Sequence, residues 1–295
     1  MTKTAWIFPG QGSQAVGMGV DLQSTKLGQA KFSQAEEILN WSIIEKCKGD
    51  EAILSQTRYT QPCLYVIECI LIDLLKESGQ QPDVVAGHSL GEYSALYAAN
   101  VFDFVTGLKL VRRRATLMTD AAGGKMAALM KFDREQLETA IAATPDVVIA
   151  NDNSDQQVVI SGATEAVDQI LSQVQARRVV PLKVSGAFHS PLMAAAAAQF
   201  QTFLDEASFD EADVAILSNV DPTPATTAAE IKQRLIAQMT GNVRWREIME
   251  KLPELEITQS IEVGPGKVLS GLLKRNCREI TLQSVGSLAE FEVDL

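Results

Sequence analysis

The chain reads as an α/β protein with a smaller unit of mixed strands and helices set into it, and three stretches predict this. Thr4 to Phe8 is an apolar run of strand length that ends in the glycine-rich turn Pro9-Gly10-Gln11-Gly12-Ser13-Gln14. Val84 to Ala86 is a second such run, which breaks at Gly87, presents Ser89 and restarts at Gly91 as an alanine-rich helical pattern. From Lys125 to Val184 the pattern changes to strands and helices in the order β-α-β-β-α-β.

The elements follow in order. After the first strand, apolar residues recur at helical spacing from Gln34 to Lys46 and from Tyr65 to Ser78, with Thr60-Gln61-Pro62 as a cap and first-turn proline for the second helix. Phe104 to Ala122 reads as a helix stopped by Gly123-Gly124. Strands are expected over Lys125–Met130, Val147–Asn151, Gln157–Ser161 and Val179–Val184, with helices over Asp133–Ala143 and Thr164–Ala176. That order is the ferredoxin-like split βαβ pattern. Its loops Asn151-Asp152-Asn153 and Ser185-Gly186-Ala187-Phe188-His189-Ser190 can reach a cleft. A helix is expected from Pro191 to Ala207, a strand over Ile216–Asn219, helices over Ala228–Gln238 and Trp245–Leu252, and a strand over Ile257–Glu262. Gly264-Pro265-Gly266 turns into a helix over Lys267–Arg275, and Thr281–Val285 forms an edge strand before an acidic tail that should fray.

Composition narrows the function. With 295 residues, 46% hydrophobic and 21% charged, the chain can bury one large core or two. Its net charge of -11 argues against a nucleic-acid surface, which needs an excess of lysine and arginine. An acidic partner would need a local basic patch, and Arg112-Arg113-Arg114, Arg177-Arg178 and Lys274-Arg275 are the dense candidates. Cys47, Cys63, Cys69 and Cys277 show no Cys-x-x-Cys spacing, and no apolar run approaches the roughly 18 residues of a membrane span. A cytoplasmic monomer with reduced thiols and no membrane contact is expected.

The chemistry centres on Gly87-His88-Ser89-Leu90-Gly91. Glycines two residues either side of a serine, between a strand and a helix, fit a nucleophile elbow, where the backbone N–H of Leu90 can donate to an oxyanion. Gln11, an uncharged donor on the turn after the first strand, is suited to completing that hole or is merely solvated. The Gly-x-Gly pair of that turn lacks a Walker lysine and a third glycine, so a nucleotide loop is rejected.

A serine nucleophile needs a base, and the chain has two histidines. His88 adjoins the serine and should point the other way, which leaves His189. Its orienting group is either Asp152 or Asp155, as in a hydrolytic triad, or a neutral carbonyl. Of the three consecutive arginines, at most two can face a site, because helical neighbours diverge by about 100°.

Six ordered motifs together resemble the malonyl-CoA:acyl-carrier-protein transacylases of fatty-acid synthesis. They are Phe8-Pro9-Gly10-Gln11-Gly12-Ser13-Gln14, Gly87-His88-Ser89-Leu90-Gly91-Glu92, Leu110-Val111-Arg112-Arg113-Arg114, Gly186-Ala187-Phe188-His189, Asn242-Val243-Arg244-Trp245 and Glu262-Val263-Gly264-Pro265-Gly266. The resemblance implies an α/β-hydrolase-like large subdomain, residues 1–124 and 191–295, with an inserted ferredoxin-like subdomain, residues 125–190. It implies that Ser89 carries the malonyl group as an ester, that His189 is base and then acid, and that Gln11 and Leu90 hold the oxyanion. Arg114 takes the position that grips the malonyl carboxylate, Phe188 narrows the acyl pocket, and Asn151 and Asn153 line the cleft. Malonyl-CoA is the implied donor and the phosphopantetheine thiol of an acyl carrier protein the acceptor, with no metal or redox cofactor. The segment at Arg244 is where the family orients its histidine through a backbone carbonyl, and some relatives have glutamine there. A serine thioesterase, or a docking module without catalysis, are the alternatives on the same elbow.

Overall fold

The computed structural model describes residues 2–121 and 123–293. Strand β1 (Thr4–Phe8) alternates between two cores, with Trp6 and Phe8 in one and Ala5 and Ile7 in the other. An unbroken apolar run is what a parallel strand covered on both faces requires.

Helices α1 (Lys26–Leu39), α2 (Ile43–Lys48), α3 (Glu51–Leu54) and α4 (Thr57–Glu77) follow. The helix expected over 34–46 is therefore two. Asn40 closes α1 in the left-handed region at φ 62°, which asparagine tolerates, and the Ser42 side chain caps α2. Pro62 lies inside α4 rather than at its first turn, and α4 starts at Thr57. Proline there removes a single backbone bond near the helix N-terminus, while the Thr60 hydroxyl donates to the carbonyls of Leu54 and Gln56.

Strand β2 (Val84–Gly87) leads into α5 (Gly91–Ala98), then α6 (Phe104–Asp120). The last residue expected in that helix, Ala122, lies outside the described residues. The next unit comprises β3 (Lys125–Phe132), α7 (Arg134–Ala143), β4 (Val147–Ser154), β5 (Gln157–Gly162), α8 (Thr164–Gln173) and β6 (Ala176–Pro181). Its sheet is antiparallel in the order β4-β5-β3-β6. Asn151, Asp152 and Asn153 belong to β4 rather than to a loop, because the strand continues through two register shifts, at Ile149/Asn151 and Asp152/Ser154. Strand β6 begins three residues earlier than expected and ends at Pro181, so Leu182 and Val184 are free to border the cleft.

Beyond it come α9 (Ala194–Glu206), β7 (Ala215–Leu217), α10 (Ala228–Gln238), α11 (Trp245–Glu254), β8 (Gln259–Val263), α12 (Val268–Asn276), β9 (Thr281–Val285) and α13 (Leu288–Val293). The tail thus forms a helix where fraying was expected, its Leu288 N–H donating to Asp21 at 2.6 Å. Asp294 and Leu295 lie outside the described residues.

The larger sheet is wholly parallel, in the order β7-β2-β1-β8-β9, with β9 on the expected edge. Helices α7 and α8 cover one face of the antiparallel sheet over Ala127, Leu129, Val158 and Ile160. Its other face, with Met126, Ala128 and Val159, turns to the larger core. A seam joins the two: Asp152 N–H donates to Val243 O at 2.9 Å, and Val243 N–H to Ala150 O at 2.8 Å. The cleft opens beside this seam, at the carboxyl ends of β1 and β2, where crevices in parallel sheets take ligands.

Candidate active site

Close approach of backbone builds the elbow. A Cβ on Gly87 would lie 1.9 Å from the carbonyl carbon of Gly91, and one on Gly91 would lie 2.1 Å from the Phe8 oxygen. Larger residues would force strand and helix apart. Between them Ser89 sits at φ 52°, a left-handed conformation that costs a non-glycine residue about 1–3 kcal/mol. Asn219, just past β7, holds it there. Its Oδ1 accepts the Ser89 N–H at 2.7 Å and its Nδ2 donates to Gly87 O at 2.5 Å. The Gln238 Nε2 donates to Ser89 O at 2.7 Å.

His189 arrives on the segment between β6 and α9, also left-handed at φ 56° and buried. Its Nε2 lies 2.8 Å from Ser89 Oγ, and its Nδ1 lies 3.0 Å from Gln238 O and 3.1 Å from Gly241 O. Both Nδ1 neighbours are acceptors only, so Nδ1 carries the proton and Nε2 offers its lone pair to the serine. The carboxylates considered for a triad are elsewhere: Asp152 pairs with Arg134 at 2.8 Å and Arg246 at 3.1 Å, and Asp155 lies 3.8 Å from Arg246. The neutral carbonyl is the orienting group. Burial, and then the Arg114 charge, push the His189 pKa down to about 3, so the ring is neutral at working pH. His88 points away as expected, its Nε2 2.8 Å from Asn153 Oδ1 and its ring against Trp245.

The three arginines of α6 diverge. Arg112 is exposed and donates to Ile38 O, Arg113 lies over the Phe203 ring, and Arg114 is fully buried. Arg114 donates to Gln61 Oε1 at 2.8 Å, Gln238 Oε1 at 3.0 Å and Ser89 Oγ at 3.1 Å, with its guanidinium over the Tyr93 ring. Among the described residues it pairs with no carboxylate. A buried cation held only by neutral acceptors keeps its charge for something else.

The cleft, about 220 Å³, is lined by Gln11, Ser89, Leu90, Phe188 and His189, with Asn151 and Asn153 on the wall formed by β4. Arg114 is not itself in the lining but reaches the cleft through Ser89 Oγ and Gln61, which are. The Gln11 Nε2 donates to Thr57 Oγ1 at 3.1 Å, and the residue borders the cleft with its second amide hydrogen and its backbone N–H as further donors. Leu90 caps α5 at the helix N-terminus, where the macrodipole favours negative charge. Arg244 faces Glu247 and Val220 O rather than His189, so the arginine side chain leaves the imidazole undisturbed.

Two residues of this site were missed from sequence. Asn219 carried a signal, being the polar residue at the carboxyl end of a buried parallel strand. Gln238 carried a weaker one, a polar side chain at the third position of the buried stripe Ile231, Leu235, Gln238.

Comparison with known proteins shows the family. The acyl transferase domain model matches residues 5–290. The malonyl CoA-acyl carrier protein transacylase of Synechocystis is 61% identical over 286 residues, 97% of this chain and 98% of that one. The crystal structure of the Synechocystis malonyl-CoA:ACP transacylase matches with a TM-score of 0.98 at 60% identity, covering 99% of this chain and 100% of its own. A malonyl-transacylase solved in complex with a type II polyketide acyl-carrier protein matches at 0.94 and 34% identity, over 100% of this chain and 99% of its own.

Proposed function

We propose, since this chain belongs to the malonyl-CoA:acyl-carrier-protein transacylases of the acyl transferase domain family, that it carries a malonyl group on Ser89 from malonyl-CoA to the phosphopantetheine thiol of an acyl carrier protein. The Ser89 hydroxyl gives its proton to His189 Nε2 while Oγ attacks the thioester carbonyl. The N–H groups of Leu90 and Gln11 hold the tetrahedral oxyanion. Its collapse breaks the C–S bond, and His189 returns the proton to the departing CoA sulfur. In the second half the pantetheine thiol gives its proton to His189 and its sulfur attacks the seryl ester; the C–Oγ bond then breaks and His189 returns the proton to Oγ, restoring Ser89. Arg114 binds the malonyl carboxylate, giving up part of its bonding to Gln61 and Gln238. Phe188, Asn151 and Asn153 bound the acyl and pantetheine path. Acyl exchange between oxygen and sulfur changes no oxidation state, so no redox cofactor is called for, and in this proposal His189 and the oxyanion donors supply the acid–base and electrostatic work without a metal.

The observation that carries this reading is one oxygen with two neighbours: Ser89 Oγ lies 2.8 Å from a neutral imidazole and 3.1 Å from an unpaired guanidinium. An ordinary esterase has no use for the second. The finer architecture belongs to the same proposal, an α/β-hydrolase-like subdomain of residues 1–124 and 191–295 with a ferredoxin-like insert of residues 125–190. The parallel sheet with the elbow at its carboxyl edge and the order β4-β5-β3-β6 support it. Four free, buried cysteines fit a reducing cytoplasm, and we take the working unit to be a monomer in fatty-acid synthesis.

The test is intact-protein mass after brief exposure to malonyl-CoA. The protein should gain a malonyl ester that Ser89→Ala lacks and that an acyl carrier protein removes. CoA release without any adduct, continuing in water, would make the protein a hydrolase instead.

A further inference from the structure

Arg114 is not alone in its buried pocket. Glu92, on the first turn of α5, is buried as well, and its Oε2 accepts the Asn219 N–H at 3.2 Å and the Gln238 Nε2 at 2.8 Å. Burial raises the Glu92 pKa, and the donors on Oε2 together with the Arg114 charge act against that shift by favouring the ionised carboxylate. Gln238 stands between the two charges, its Oε1 3.0 Å from the Arg114 Nη2 and its Nε2 on Glu92. The orientation of this carboxamide is forced. Turned over, it would set its N–H groups against the guanidinium and its oxygen against both Glu92 and Ser89 O.

We propose that Gln238 is a positioning residue for substrate choice: its carboxamide insulates Arg114 from Glu92, so that the guanidinium keeps its charge for the carboxylate of the incoming acyl group. A carboxamide suits the task because it is neutral, accepts from a cation at one end and donates to an anion at the other. An apolar residue there would leave opposite buried charges facing one another in a low dielectric, where their attraction is strong. The guanidinium would then pair with Glu92, and a malonyl carboxylate would have to displace an internal one. The main chain of the same residue holds His189 through Gln238 O, so any side-chain variant leaves that contact in place.

The inference rests on the malonyl reading above, and a mutant cycle separates the two. Gln238→Met keeps the length and volume of the side chain and removes only the carboxamide. The readout is the ratio of malonyl to acetyl adduct on the intact protein, from equal malonyl-CoA and acetyl-CoA, with initial rates for the KM and kcat of each donor. In Gln238→Met the ratio should fall by about tenfold or more, through a higher KM for malonyl-CoA and an unaltered KM for acetyl-CoA. Glu92→Gln should keep the wild-type ratio, and Gln238→Met/Glu92→Gln should recover it, because the competing anion is gone. A purely structural role for Gln238 predicts no such rescue. A preserved ratio in Gln238→Met, or an equal fall in the Glu92→Gln background, overturns the inference. If Gln238→Met alone does not fold, Glu92→Gln and the double variant are compared, and a lower ratio in the double variant overturns it. A wild-type protein without malonyl preference would remove the malonyl reading itself, and this inference with it.

Discussion

Replacing Arg114 with methionine tests the carboxylate clamp quantitatively. Methionine fills much of the same stem volume but carries no charge. In the wild type the guanidinium is fully buried and donates to two glutamine oxygens and to Ser89 Oγ. A hydrogen bond to a charged group contributes about 1.5–3 kcal/mol, and a bidentate carboxylate makes two. Part of that gain is offset by the bonds to Gln61 and Gln238 that must loosen, which leaves a net of about 2–4 kcal/mol. Arg114→Met should therefore lower kcat/KM for malonyl-CoA by roughly 30- to 700-fold, at about 1.4 kcal/mol per decade. Acetyl-CoA offers no carboxylate, so its value should move only severalfold. The assay is the initial rate of adduct formation from each donor by intact mass, with the unfolding midpoint measured on the same samples to exclude loss of fold. Equal losses for both donors would refute the clamp and make Arg114 a structural residue.

The pH dependence follows from the depressed pKa of His189. Its folded value of about 3 lies below the usual 6.5, so the neutral base persists as pH falls. Acylation should stay nearly flat from pH 8 to pH 5, where an unperturbed histidine would retain about 3% of its base form. A rate that halves near pH 6.5 in rapid-quench experiments would contradict this, and in Arg114→Met the acid limb should move upward as the second-largest cause of the depression disappears. Asn219→Ala removes both bonds flanking the left-handed serine and should reduce kcat by about 10- to 100-fold with KM for malonyl-CoA within about twofold, at about 1–3 kcal/mol per buried group left unpaired. Steady-state kinetics decide it, and a change in KM alone would count against the elbow-holding role. Lys274 and Arg275 end α12, the helix whose Val268, Leu269 and Leu272 border the cleft. Alanine at both should raise the carrier-protein KM severalfold with a weaker dependence on salt, as should the Arg177, Arg178 pair on β6 if that edge is the landing site. No change in either double variant would dismiss both patches.

Much of this site was legible because a few residues had unusual local requirements. Gly87 and Gly91 were readable since backbone approaches within van der Waals contact at both, and only glycine fits. His189 was readable by elimination among two histidines. The register of Asn151 and Asn153 was not, because asparagine and aspartate are turn residues by propensity, and the pairing of β4 with both β5 and the segment at Val243 overrides that preference. The break between α1 and α2 was hidden for a related reason. The apolar spacing runs on through Trp41, and the stop depends on one left-handed asparagine. Asn219 and Gln238 escaped because their roles are tertiary. Each acts on residues more than a hundred positions away, and no local pattern records such a partner.

The orientation of His189 by carbonyls also bears on which acceptor the site can use. An aspartate on Nδ1 would stabilise the imidazolium, whereas Gln238 O and Gly241 O do so weakly and the Arg114 charge opposes it. The base is therefore a feeble one. A thiol with a pKa near 8.5 is already partly thiolate at pH 7–8 and needs little help, while water, at about 15.7, depends on the base for nearly all of its nucleophilicity. Weakening the base thus slows attack by water on a seryl ester more than it slows attack by pantetheine. On this argument the missing triad carboxylate is part of how a serine elbow is turned from hydrolysis toward transfer, and the same buried arginine that we propose binds the acyl carboxylate also lowers the basicity that water would need.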